Sequence, residues 1–75
     1  MDFQLRFKVN DYIYLRDPDS SEIGKAIVKS AIDLIYSLGF EHFTFKKLAT
    51  EMGTTEATIY RYFENKHRLL LYILN

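Results

Sequence analysis

The chain has no cysteine, one proline, three glycines, no net charge and no apolar run longer than the six residues Leu69 to Leu74. Without cysteine there is neither a disulfide framework nor a thiolate metal site, which fits a reducing cytoplasm. Six apolar residues fall far short of a membrane span. The first ten residues, MDFQLRFKVN, have neither the basic start nor the continuous apolar stretch of a signal peptide, so a cytoplasmic protein is expected. His42 and His67 are too isolated to form a metal pair, and no glycine-rich loop or nucleophile motif is present. No metal, no cofactor and no enzymatic activity are expected. Internal repeats and low-complexity tracts are also lacking.

What is there is a folded composition: 75 residues, 48% hydrophobic and 27% charged. That length allows one small domain, near the lower limit at which an apolar core suffices alone. Ten basic residues balance ten acidic ones, but unevenly. Residues 1–22 hold three cations against five carboxylates, and the remainder carries the compensating excess of two positive charges. Positive charge in the second half is local and modest.

Phe3, Leu5, Phe7 and Val9 alternate with polar residues, which is strand periodicity. Asn10-Asp11 tolerates a turn and Tyr12 to Leu15 is a second β-prone run, so residues 1–19 read as an extended or hairpin-like extension. An isolated hairpin is marginal in water and needs a surface to lie on, either the helical domain or a second copy of the chain. A packing role fits this extension better than a minor-groove arm, which would want more arginine and lysine. Asp17-Pro18 then breaks the chain, and Asp19 or Ser20 is expected to cap the next helix, with Asp19 and Glu22 at capping-box spacing. From Ile23 to Leu38, apolar residues recur at three- and four-residue intervals, predicting an amphipathic helix that stops at Gly39 and is weakened slightly by Gly24. Phe40, Phe43 and Phe45 come next as core aromatics clamping this helix to the following two.

Thr44 to Arg68 organise the rest. Thr44 is a predicted N-cap, Phe45, Leu48, Ala49 and Met52 fall at helical spacing, and Gly53 supplies the turn. Thr55 caps a second pattern in which Ile59, Tyr62 and Phe63 share a face and Glu56, Ala57, Tyr60 and Arg61 lie opposite. Two short helices around a glycine turn make a helix-turn-helix, and Asn65 caps a last, strongly apolar helix whose exposed face implies a covering partner or further chain. The fold class expected is all-α, a small homeodomain-like helical bundle.

Helix first turns favour carboxylates, because the macrodipole leaves positive charge there. Here Lys46 and Lys47 follow Thr44, and Lys66, His67 and Arg68 follow Asn65. Simple solvation would cost only a few tenths of a kcal/mol per lysine. Two cationic first turns flanking one presenting helix favour an external anion such as a phosphate backbone. Short side chains near the start of that helix let it approach a groove: Thr54, Thr55, Glu56, Ala57 and Arg61 offer donors, acceptors and one methyl. Glu56 fits better as a dipole-favoured first-turn residue than as a base reader. The competing reading is a helical protein–protein interaction module that binds no DNA.

The run LATEMGTTEATIYRYFENKHRLL closely resembles the DNA-binding domain of TetR-family transcriptional regulators, over residues 22–74. Its YRYFENK block, at this distance after the paired threonines, carries most of the specificity. By position the resemblance implies Thr44, Lys46, Lys47, Tyr60 and Lys66 at phosphates and Thr54, Thr55, Glu56, Ala57 and Arg61 near bases. Tyr62 and Phe63 would be packing residues. It implies a domain at residues 20–75 that stops inside helix 4, double-stranded DNA as partner, and a homodimer when the effector-binding domain, absent here, is attached. Repression is the family's commoner habit. The chain departs from the pattern at His67, where an acidic residue is common, and at Ala57, where glycine is frequent.

Overall fold

The computed structural model describes residues 13–75. Among the described residues, a 3-10 turn at Pro18–Ser20 is followed by four α-helices: α1 Glu22–Leu38, α2 Phe45–Met52, α3 Glu56–Tyr60 and α4 Lys66–Leu74. The described residues contain no strand. Of the expected hairpin, the first run lies outside the described residues. Residues 13–15, the described part of the second run, form no ladder. Among the described residues, the Leu15 N–H donates to the carbonyl of Tyr62, just past α3, at 2.7 Å.

Local chemistry sets most of the helix ends. Thr44 Oγ1 accepts from the Lys47 N–H at 3.1 Å, Thr55 Oγ1 from the Thr58 N–H at 3.3 Å and Asn65 Oδ1 from the Arg68 N–H at 3.0 Å. At the other end of α2, Gly53 adopts φ 71° and ψ 34°; its N–H reaches the Thr50 carbonyl and the Thr54 N–H reaches that of Ala49. This double closure is a Schellman motif. The cap of α1 corrects the expectation: Ser21, not Asp19 or Ser20, accepts from the Gly24 N–H at 3.1 Å. Asp17 and Ser20 are used one turn earlier, where Asp17 Oδ1 accepts from the Asp19 N–H and the Ser20 hydroxyl donates to the Asp17 carbonyl. Pro18 can open the 3-10 turn because a first-turn residue needs no N–H partner.

The core is built where the helices converge. Ile27 and Ala31 of α1, Phe45, Leu48 and Ala49 of α2, Ile59 of α3 and Leu69 of α4 are buried together with Phe43, Tyr62 and Phe63 of the connections. Phe43 and Phe45 meet edge to face at 6.4 Å, as their quadrupoles favour. Phe40 is only half-buried; its ring lies against His67 at the rim.

Gly24 does not weaken α1 as its propensity suggests. A Cβ there would lie 2.3 Å from the Pro18 carbonyl oxygen, so the missing side chain is what lets the 3-10 turn seat on α1. Gly24→Ala should therefore lower stability by about 1–3 kcal/mol through overpacking, against the roughly 1 kcal/mol gain usual for this change inside a helix. Urea unfolding gives the sign. Tyr72, edge-on to Tyr14 at 5.8 Å and Phe63 at 5.6 Å, is pushed above the ordinary 10.0 by burial and then by the Asp19 and Asp17 carboxylates. Because the folded state holds this proton more tightly, its contribution is complete below pH about 10 and is lost as pH rises through the folded value. Tyr72→Phe should remove that alkaline loss in thermal melts taken above pH 10.

Candidate nucleic-acid interface

The short α3 is the presenting element. The sequence pattern extends it from residue 55 to 63, but it ends at Tyr60, with Arg61 as C-cap. Past it the last turn tightens: the Tyr62 N–H makes a 3-10-type bond to the Ile59 carbonyl at 2.9 Å, while the Phe63 N–H makes the α-type bond to the same oxygen at 3.1 Å. Ile59, Tyr62 and Phe63 are buried, while Thr55, Glu56, Ala57, Tyr60 and Arg61 all face solvent. Tyr60 keeps its ring edge against Phe45, 5.0 Å away, yet remains 47% exposed, which leaves its hydroxyl on the surface.

Hydroxyls gather at the α2–α3 turn. Thr54 Oγ1 donates to Thr58 Oγ1 at 3.2 Å, and Thr58 Oγ1 also shares a hydrogen bond with Thr55 Oγ1 at 3.2 Å. Thr54 is half-buried and its hydroxyl is engaged inside the turn, so it supports Thr55 more than it faces outward. Thr58 is not among the site residues expected from the sequence. Its spacing of three from Thr55, the reach of an N-cap, is the signal that could have found it.

The cations divide sharply. Lys46, Lys47 and Arg61 are exposed, and among the described residues the ion pairs, Lys25–Glu22 and Lys29–Asp33, both lie on α1. Lys47 Nζ is drawn back to the His42 carbonyl at 2.9 Å, an exposed bond that water or an anion can replace. Lys66 differs. Its Nζ donates to the carbonyls of Phe40 at 2.8 Å, Phe43 at 2.9 Å and, more weakly, Glu41 at 3.4 Å, and it lies 4.5 Å from the centre of the Phe40 ring. An ammonium has three protons, and all three are committed. Lys66 is thus a clamp between the start of α4 and the α1–α2 connection, and its geometry does not fit the expected phosphate contact.

A short helix held by its apolar face beside a glycine-closed turn, flanked by exposed hydroxyls and by cations without ion-pair partners among the described residues, defines a helix-turn-helix DNA-binding domain. The family of bacterial regulatory proteins, tetR family, matches residues 27–73, well over half of the 75 residues. The chain belongs to the TetR family of transcriptional regulators. No curated protein and no solved structure matches it. Among the described residues, no helix is long and apolar enough to cross a membrane.

Lys66→Met should leave three carbonyls without their donor and lower stability by about 1–3 kcal/mol. Urea unfolding of unchanged midpoint would show that the clamp contributes nothing.

Proposed function

We propose that the domain binds double-stranded DNA by laying α3 and its flanks, residues 55–61, in the major groove. The observation that supports this most is the exposed set Thr55, Ala57, Tyr60, Arg61 and Lys46, held by a rigid core and free of carboxylate partners among the described residues. Thr44, Lys46, Lys47 and Tyr60 are assigned to phosphates; Lys66 is dropped from that group. Thr55, Ala57 and Arg61 read bases, with Thr54 supporting Thr55 from inside the turn. Ala57 offers a methyl to thymine and Arg61 a bidentate donor to guanine. Glu56, first residue of α3, serves the helix dipole. In a homodimer, two such heads would meet half-sites about one helical turn apart, and occupancy would act as repression.

Each cation that neutralises a phosphate contributes about −0.9 to the slope of log affinity against log salt. Lys46→Ala should flatten that slope by roughly one unit for every duplex, whereas Arg61→Ala should cost about 1–3 kcal/mol at its preferred base pair and relax sequence preference. Titrations of duplexes from a random pool at several salt concentrations check both. Binding insensitive to salt and to both substitutions would favour the protein-interaction reading, for which Ile32, Tyr36 and Leu38 on α1 expose apolar surface.

A further inference from the structure

Tyr62 is held by its carbonyl, its hydroxyl and its ring to partners that all come from residues 13–21. Its carbonyl accepts from the Leu15 N–H at 2.7 Å. Its hydroxyl shares a 2.7 Å hydrogen bond with the hydroxyl of Ser21, the same oxygen that caps α1. The Arg16 guanidinium lies over its ring, 5.8 Å from the centroid. The segment is itself pinned at both ends, since Ile13 and Pro18 are buried and Pro18 seats against Gly24. All of it precedes residue 27, where the family match begins.

We infer that residues 13–21 are a working part of the reading head: a clasp that fixes the C-terminal end of α3 through Tyr62 and thereby aims Arg61. This rests on the DNA-binding function proposed above. The backbone of Arg61 is bracketed by Tyr60, whose ring leans on Phe45, and by Tyr62, whose carbonyl, hydroxyl and ring are all tied to the clasp. With only five residues, α3 has too few internal bonds to hold its last turn unaided. Arg16 acts here as a positioning residue. A direct phosphate contact is disfavoured, because three carboxylates, Asp17, Asp19 and Glu22, follow it within six residues of the sequence.

The test uses the full chain with Arg16→Met, Arg16→Lys and Tyr62→Phe. In the protein without DNA, the Leu15 amide lies in an exposed, strand-free segment, so slow hydrogen exchange there reports the clasp. Exchange should be slow in the wild type, faster in Arg16→Met and Tyr62→Phe, and restored in Arg16→Lys. Exchange at the unprotected rate in the wild type overturns the clasp. Duplex affinity should fall about three- to tenfold in Arg16→Met, with an unchanged salt slope and recovery in Arg16→Lys. A slope flattened by about one unit would make Arg16 a phosphate contact and overturn the positioning role, as would unchanged affinity. A wild-type chain that binds no duplex sinks the DNA-binding function and this positioning role with it, while the Leu15 exchange result still decides whether the clasp exists.

Discussion

A helix of five residues cannot hold itself in water, and α3 exists because Ile59, Tyr62 and Phe63 are buried beneath it. Isolated helices of this length fail for want of internal bonds, so here packing supplies the stability that propensity cannot. Fully burying side chains of this size is worth about 1.5–3 kcal/mol each, a large part of the whole stability of so small a domain. The exposed face is what remains once that burial is satisfied. Thr55, Ala57, Tyr60 and Arg61 point outward because their neighbours must point inward.

Electrostatics then gives the face its character. The carboxylates that form ion pairs sit on α1, and the cations nearest α3 are left without such partners among the described residues. A cation at a helix start is mildly unfavourable unless an anion joins it, so the first turn of α2, with Thr44, Lys46 and Lys47, is more comfortable with a phosphate than without one. Lys66 shows that position in the sequence does not settle such a role. It too opens a helix, but its ammonium is consumed by carbonyls 23 to 26 residues earlier in the chain. The consequence is rigidity: the connection that carries Phe43 and ends at Thr44 is locked to the start of α4.

Much of the fold is legible in the sequence because its signals are local. Thr44, Thr55 and Asn65 cap as their residue types suggest, Gly53 takes the left-handed conformation, and the apolar periodicity of α1 and α2 marks the buried face. The hidden features are non-local. Gly24 reads as a helix weakener until Pro18 is seen pressed against it, and the Ser21 cap is obscured by an Asp17-Pro18-Asp19-Ser20 run offering earlier candidates. The interface is legible as a set of residue types; its internal wiring is not. Thr58 is readable from its three-residue step after Thr55, but its bond to Thr54 is not, and Tyr62 gives no sign in sequence of being gripped by Leu15, Arg16 and Ser21. The end of α3 at Tyr60 is equally hidden, since apolar spacing through Phe63 does not show where the Tyr62 N–H switches to a 3-10-type bond with Ile59.

The central claim is that the face built from Thr44 to Arg61 docks on a nucleic-acid backbone. It is tested most directly by observing every backbone amide by NMR while a duplex is added at low and then high salt. The account predicts shifts concentrated at residues 44–47 and 54–61, fading together as salt rises. Shifts centred on Ile32, Tyr36 and Leu38 of α1, or shifts that persist unchanged in high salt, would contradict it.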